Sequence, residues 1–485
     1  MLQQTEDHDQ ISEKLGKIVG KEFISNHPEE LLIYSYDMTE HPPNNPDYVV
    51  MPKNVEEIQE ILKLANKNKI PVVPFVTGSN IGGLTIPLKG GLIVDLKRMD
   101  RILHVNTEDM YMVIEPGVTF GHVYKCFKND YPHFRYCYPF APPFASVMAN
   151  ALLGGLNNLS LKYGCMSEVI NGIEAVLPNG EVVKIGTCMC WDDQWWGRVP
   201  MPDLLGLFTS WQGMTGIVTK IALQIWPRKP IRDYKFIVSN DLVATYKLVK
   251  KLATADIMND ILLTSIETIK MVLGVPLGQA VHLEGEPRWA TILDFSANTQ
   301  KEYEAKADII ENLFKELKSV DPKAAYSSID NAVKLFGEKF DAFQKMPMTI
   351  GGMLEYGGLT WVGTYMTSNP DTVVKGVHTA FELIEKYNFE KCLYTRMMKG
   401  GHYYAFRFLL RFSKEKDGET ERMRQLNQEL FESLFELGAF PYKTPAEFTD
   451  KILARCDKNW AKLLKTVKTA IDPNMIMNPG RWGFK

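Results

Sequence analysis

The stretch YVVMPKNVEEIQEILKLANKNKIPVVPFVTGSNIGG, Tyr48 to Gly83, constrains the fold of this chain more than any other. Two apolar, β-branched runs, Tyr48–Val50 and Val72–Val76, flank an amphipathic segment. Ile58, Ile61, Leu62 and Ala65 recur there at helical spacing. Asn54 stands where an N-cap belongs, and Glu57 follows three residues later as a capping-box partner. A crossover of this length joins parallel strands, so the pattern predicts a βαβ unit. The turn Thr77-Gly78-Ser79-Asn80-Ile81-Gly82-Gly83 then falls at the carboxyl end of the second strand, where open α/β sheets bind ligands. Its glycines let backbone N–H groups come close to an anion such as a phosphate. Neither the Lys-Ser/Thr of a P-loop nor Gly-x-Gly-x-x-Gly is present. The turn alone reads equally as a phosphate cradle or a tight structural turn, and its place after the βαβ unit favours the cradle.

Composition narrows the function classes. The 485 residues are 45% hydrophobic and 23% charged, as expected of a soluble globular protein of two or three domains. A net charge of −3 with interspersed signs leaves no basic face for nucleic acid. No apolar run of roughly 18 residues predicts a transmembrane helix. The polar start MLQQTEDHDQ is no secretory signal. Seven scattered cysteines argue against a disulfide framework and for a reducing, cytoplasmic setting. Cys188 and Cys190 form Cys-x-Cys with no second pair at metal spacing, so no metal site is expected.

Further along, GGLIVDLKRMDRI and MYMVIEPGVTFGHVY each hold a short strand. INGIEAVLPNGEVVKIG reads as a hairpin about Asn179-Gly180. The texture changes near residue 228. Residues 240–345 read as charged amphipathic helices, whereas GGLTWVGTYMTS and YYAFRFLLRFS read as strands of a second sheet. The pattern is helical again from about 447. The expected division is therefore 1–228, 229–446 and 447–485.

VTGSNIGG, GGLIVDLKRMDRILHVNTEDMYMVIEPGVTFGHVY, YGCMSEVINGIEAVLPNGEVV, DLLGLFTSWQGMTGIVTKIALQIWP and IDPNMIMNPGR occur in that order. This set resembles the vanillyl-alcohol oxidase / p-cresol methylhydroxylase flavoprotein superfamily over residues 45–228 and 350–485. The resemblance implies an α+β protein: a two-subdomain FAD-binding domain (1–228), an α+β cap or substrate domain (229–446), and a C-terminal return to the FAD domain (447–485). It implies that Thr77, Gly78, Ser79, Asn80, Ile81 and Gly82 hold the FAD pyrophosphate. It also places Ser146, Gly154, Gly164, Gly216, Ile217 and Val218 along the flavin, with Asn478 and Arg481 as the last cofactor contacts.

Within the superfamily the late region resembles the branch that oxidises para-substituted phenols, where a Tyr-Arg pair holds the phenolate oxygen. Tyr442-Lys443 is the matching pair, with Lys in place of Arg. A cation there favours the ionised phenol, which pushes electrons toward the departing hydride; Lys supplies it as a point charge rather than a planar fork. The acidic residue that these relatives keep after the Tyr-Gly of the flavin loop is replaced by Cys165; Glu168 lies three residues on. No histidine matches the family's attachment points and Tyr356 is the nearby candidate tether, so non-covalent FAD is expected. Such a flavin suits a dehydrogenase that passes electrons to a protein acceptor.

KGGHYYAFRF places His402 and Tyr404 on one face of a strand-like segment, as candidates for lining the pocket and taking a proton. The alternative is a half-buried sheet. Arg396 and Arg407 are candidate carboxylate ligands or surface ion-pair partners. The aromatic stretch Tyr131–Phe144 is either packing or a pocket wall. CWDDQWWGRVPMPD, with three tryptophans, matches an excursion that makes subunit contacts in phenol-oxidising relatives, so a homo-oligomer is expected. The leading expectation is an FAD-dependent oxidoreductase removing a hydride from a benzylic or alcohol carbon of a small, para-substituted phenolic substrate. A D-2-hydroxy-acid dehydrogenase of lactate or glycolate type and a flavin electron-transfer subunit are the alternatives.

Overall fold

The computed structural model describes residues 2–80, 82–343, 345–348, 353 and 355–484. The first sheet contains β1 (Ile24–Ser25), β2 (Tyr48–Val50), β3 (Val72–Phe75) and β4 (Leu92–Asp95), in the order β1-β2-β4-β3. Strands β2 and β3 both run parallel to β4. The βαβ crossover therefore skips one position. β4 takes the centre because all four of its residues are apolar or internally paired and buried. The crossover helix spans Val55–Asn68 and buries Ile58, Ile61, Leu62 and Ala65. Asn54 Oδ1 accepts from the Glu57 N–H at 2.9 Å, while Glu57 Oε2 accepts from the Lys53 N–H, one residue earlier than a capping box requires. Gly91 opens β4 with φ +82°, and a Cβ there would lie 2.3 Å from the Pro71 carbonyl oxygen. Only glycine lets β3 and β4 approach this way.

Next come β5 (Ile102–Asn106), β6 (Tyr111–Ile114), β7 (Phe134–Arg135), β8 (Ile170–Val176), β9 (Val182–Ile185), β10 (Ile217–Gln224) and β11 (Trp226–Pro227). An antiparallel sheet forms in the order β5-β6-β10-β8-β9, with the hairpin at Asn179-Gly180 joining β8 to β9. β7 pairs with β11.

The third sheet takes β12 (Ile231–Ser239), β13 (Met258–Ser265), β14 (Trp289–Ala297), β15 (Ala325–Ser328), β16 (Gly357–Thr367), β17 (Tyr394–Met398), β18 (Tyr403–Ser413) and β19 (Phe440–Pro441). Their order is β15-β12-β14-β13-β17-β18-β16-β19. Residues 240–345 thus contain strands as well as helices. NDILLTS and WATILDFSA are buried at every position, so they lack the alternation that marks a half-exposed strand. Helices 242–254, 300–320, 370–386 and 419–436 pack on one face of this sheet. Tyr404, Phe406, Phe408, Leu410 and Phe412 of β18 join that core. The alternate residues of β18 take the opposite face, where Ala405 packs with Leu156 and Cys165, and Leu409 with Ile269 and Ile329.

The C-terminal stretch returns to the first sheet. The Val72 N–H donates to the Ile476 carbonyl at 2.7 Å, and the Asn478 N–H to the Val72 carbonyl at 2.8 Å. Asp472 holds this return in place. It accepts from the backbone N–H groups of Ile476 and Met477 and pairs with the buried Lys468. Among the described residues, no helix is long and apolar enough to cross a membrane.

Candidate active site

A cavity of about 220 Å³ lies between the first two sheets and the part of the third sheet's other face that carries Tyr394, Arg396 and Arg407. One side is built from the turn after β3, the start of the helix Val147–Leu152, and the start of β10. The other side comes from β17, β18 and the segment after β19.

Thr77, Gly78, Ser79 and Asn80 line the cavity. Gly78 has φ +63°, and Asn80 Oδ1 folds the turn by accepting from the Gly82 N–H at 2.7 Å. Among the described residues, no protein acceptor occupies the backbone N–H groups of Thr77, Gly78, Ser79 or Asn80. Ile81 lies outside the described residues. Ser146, Gly216, Val218, Asn478, Tyr442 and Lys443 also line the cavity. Ser146 uses its hydroxyl as an N-cap, accepting from Ala149 and donating to the Pro116 carbonyl.

Other expected contacts are placed elsewhere. Gly82 sits behind the turn, where a Cβ would be 3.2 Å from the Lys443 carbonyl; its lack of a side chain lets the 443 segment pass. Ile217 points to the opposite face of β10 from its neighbours and packs with Val72, Val94 and Val176. Gly154 turns its carbonyl to Tyr365, whose hydroxyl donates at 3.0 Å. Gly164 forms a left-handed turn against Glu168, and its carbonyl accepts from Asn157. Arg481 is buried behind the glycine turn and donates to the carbonyls of Gly83 and Ile86. It braces the turn from outside the cavity.

His402 and Tyr404 do not line the cavity. His402 is exposed at the end of a short helical turn, Lys399–Gly401. Tyr404 is buried under the helices, 2.6 Å from the Thr395 hydroxyl. His402 lies just before β18, so the expected alternation does not reach it, and Tyr404 has the parity of the helix-covered face. The opposite parity brings Arg407 to the cavity. Arg396 is there too, on β17, rather than in a surface pair. Glu168, near the missing carboxylate, pairs with Lys399 at 2.6 Å. Tyr356 does not reach the wall; its hydroxyl accepts from the Leu277 N–H. Pro139, Phe140, Ala141 and Pro142 make the aromatic stretch a cavity wall. Of the excursion tryptophans, Trp195 is buried while Trp191 and Trp196 are exposed.

Tyr442, Lys443, Arg407, Arg396 and Tyr394 converge at one end of the cavity. Arg407 lies 4.6 Å over the Tyr394 ring. Burial raises the Tyr442 hydroxyl's pKa, and the Arg407 guanidinium offsets part of that rise. Burial, and then the charge of Arg407, pushes Lys443 down to about 8. Arg396 is anchored three ways: to Asp260, to the Asn157 carbonyl at 2.8 Å, and to the Tyr394 hydroxyl at 2.9 Å. Its charge is thus matched by Asp260. Around this polar end the walls are apolar, including Phe140, Leu156 and Leu359.

These surroundings fit FAD. The open N–H groups of the glycine turn suit a pyrophosphate. Three buried side-chain atoms on the cavity wall, Asn150 Nδ2, Asn478 Oδ1 and Thr85 Oγ1, have no protein partner among the described residues. One donor, one acceptor and a hydroxyl match the carbonyl and N–H edge of a flavin ring, and left unpaired they would each cost about 1–3 kcal/mol. Asn150, Thr85 and Gln212, whose amide donates to the Thr444 carbonyl at 2.9 Å, carry no local motif that singles them out in the sequence.

Comparison with known proteins agrees with this geometry. Residues 46–186 match the FAD binding domain model, and residues 244–482 match that of the C-terminal domain of FAD linked oxidases. The chain is 26% identical to a glycolate oxidase subunit of Bacillus subtilis, covering 97% of this chain and 96% of that protein. It is 23% identical to the flavoprotein subunit of 4-cresol dehydrogenase (hydroxylating) of Pseudomonas putida, covering 97% and 95%. Substrate-bound p-cresol methylhydroxylase superposes with a TM-score of 0.86 at 20% identity, over 98% of this chain and 97% of that one. 4-Ethylphenol oxidase from Gulosibacter chungangensis gives 0.87 at 18% identity, over 99% and 97%.

Proposed function

The chain belongs to the vanillyl-alcohol oxidase / p-cresol methylhydroxylase family of FAD-linked oxidoreductases, and from that we propose that it removes a hydride from the benzylic carbon of a small para-substituted phenol. The observation that carries this reading is the gathering of Tyr442, Arg407 and Lys443 at one end of the cavity, beside the apolar Phe140, Leu156 and Leu359. Two cations and a hydroxyl there hold a phenolate oxygen, while Phe140, Leu156 and Leu359 receive the ring and its substituent. Bound FAD supplies the hydride acceptor. Thr77, Gly78, Ser79 and Asn80 hold its pyrophosphate without a covalent bond, and Asn150 and Asn478 meet its ring.

The protein's own contribution is to bind, orient and polarise. Ionisation of the phenol raises electron density at the para position, which favours loss of a hydride from the benzylic carbon. Lys443 and Arg407 stabilise that ionised form. The dry walls strengthen both interactions by excluding water. A D-2-hydroxy acid would need a carboxylate clamp. Arg396 is already committed to Asp260, so the wall offers less to such a substrate than two arginines suggest.

Anaerobic flavin bleaching tests this. Purified holoprotein is titrated with para-alkylphenols and, separately, with D-lactate and glycolate. Rapid bleaching by a phenol is expected. Bleaching by the hydroxy acids alone would replace this reading with the alternative.

A further inference from the structure

A second, smaller chamber of about 30 Å³ adjoins the main cavity. Arg396, Phe140 and Pro139 line both spaces and so form the wall between them. Unlike the main cavity, this chamber is rich in polar side chains: Tyr138, Asn158, Arg232, Asp260 and Asp294 face it. The strand pairing around it is unusual. A register irregularity in β13 between Met258 and Asp260 sets Asp260 directly opposite Asp294 of β14. Bulges of this kind re-aim side chains beside functional sites. Two acids directly opposite each other are destabilising. Here each is held by its own arginine, Asp294 by Arg232 and Asp260 by Arg396.

The holding is incomplete. Asp260 Oδ1 and Arg396 Nε have no protein partner among the described residues, although both side chains are more than nine-tenths buried. An unpaired acceptor and an unpaired donor sharing a polar space of this size are the conditions under which buried water is retained. We propose that the second chamber holds water and serves as the proton exit of the main cavity, with Asp260 as the group that takes up the proton. The inference rests on oxidation of a hydroxyl-bearing substrate in the main cavity, but not on which substrate that is.

The step balances in either case. A C–H bond breaks and its electron pair leaves as hydride to the bound flavin. The substrate O–H bond breaks, its pair makes the new carbon–oxygen double-bond character, and the proton passes through water to the Asp260 carboxylate. Burial, opposed by Arg396 and reinforced by Asp294, pushes Asp260 up to about 6, which suits a base working near neutral pH. The charged and titratable groups facing it are Arg396 and Tyr394 of β17, Asp294 of β14, Arg232 and Tyr234 of β12, and Tyr138 and Lys345 from the loops.

Two measurements test this. A high-resolution crystal structure of the wild-type holoprotein should show ordered water on Asp260 Oδ1 and Arg396 Nε; a dry chamber overturns the inference whatever the substrate. Anaerobic stopped-flow flavin reduction should slow below about pH 6 in the wild type. Asp260→Asn should lower the rate by about 100-fold and abolish that limb. In Asp260→Ala, added formate and acetate should restore the rate, acetate more per bound anion because it is the stronger base. A purely structural ion pair would not follow basicity. A wild-type rate and limb in Asp260→Asn overturns the proposal. Failure of every phenol and hydroxy acid to bleach the flavin would instead refute the function proposed above, with the water measurement still deciding the chamber.

Discussion

Lys443→Met should make the protein more stable and less active at once, and the size of both effects follows from the site. Burial and Arg407 push Lys443 from 10.5 down to about 8. At about 1.36 kcal/mol per unit, keeping the cation in place at pH 7 costs roughly 3 kcal/mol. The folded pKa lies below the unfolded one, so the unfolded chain holds the proton more tightly between about pH 8 and 10.5. The cost is therefore complete below pH 8 and disappears as pH rises through that window. Met removes it, so the FAD-free variant should gain up to about 3 kcal/mol at pH 7 and almost nothing at pH 10.5. With an unfolding entropy of about 2.1 cal/mol/K per residue, that is a rise in Tm of roughly 3 °C for a chain of this length. The same substitution removes a charge-assisted contact to the phenolate, worth about 1.5–3 kcal/mol, so flavin reduction by para-ethylphenol should slow by about 10- to 150-fold. Calorimetry at pH 7 and pH 9.5 and anaerobic stopped-flow read the two effects. A Tm that falls at pH 7 and does not converge with the wild type at higher pH would refute the burial argument. An unchanged reduction rate would remove Lys443 from the substrate.

Gly91→Ala combines a left-handed backbone with a Cβ 2.3 Å from the Pro71 carbonyl and should cost about 2–5 kcal/mol by urea unfolding; a loss under 1 kcal/mol would mean the β3–β4 contact is loose. Tyr404→Phe removes the hydroxyl contact with Thr395 under the helices, so stability should fall by about 1 kcal/mol while flavin reduction stays within twofold; a tenfold change would return Tyr404 to the site. Lys468→Met leaves Asp472 buried without its cation and should cost about 3–5 kcal/mol, along with FAD affinity measured by flavin release, because Asp472 positions the stretch that carries Asn478. Adding Asp472→Asn should recover much of the stability, and no recovery would exclude an uncompensated charge as the cause.

The βαβ unit, its cap and the glycine turn are legible because they are local: each needs only spacing and a few residue types within about thirty positions. The central place of β4 is less so, since strand order depends on contacts between segments that propensity does not see. The strands hidden among the helices of residues 240–345 show the same limit from the other side. Met258–Ser265 and Trp289–Ala297 are buried on both faces, so the alternation that announces a strand is erased by the very burial that makes them central. Arg481 was legible as a residue of the closing motif, but only the fold shows that its guanidinium braces the carbonyls of Gly83 and Ile86 from behind.

The substrate end of the site is harder to read than the cofactor end for a physical reason. In the proposed reading the cofactor is gripped largely by backbone N–H groups, and glycine-rich turns advertise exposed backbone. The proposed substrate contacts are side chains from separate strands, and a strand gives no sign of which of its two faces will be covered. In KGGHYYAFRF the period-two pattern groups Tyr404 with Phe406, while His402 lies before the strand begins, and the pattern is silent on whether helices or the cavity will cover that face. The helices of the cap settle it, since Tyr404, Phe406 and Phe408 fill their core and leave the opposite parity, with Arg407, to the cavity. Arg407 then meets Lys443 and Tyr442 from across β16, and Arg396 meets Asp260 from β13. None of these pairs is close in sequence. A cation whose partner is supplied by another strand can be recognised as buried only when the sheet is assembled, and it is the burial that fits Arg407, Lys443 and Asp260, ordinary surface residue types, for the anion-holding and proton-moving roles proposed for them.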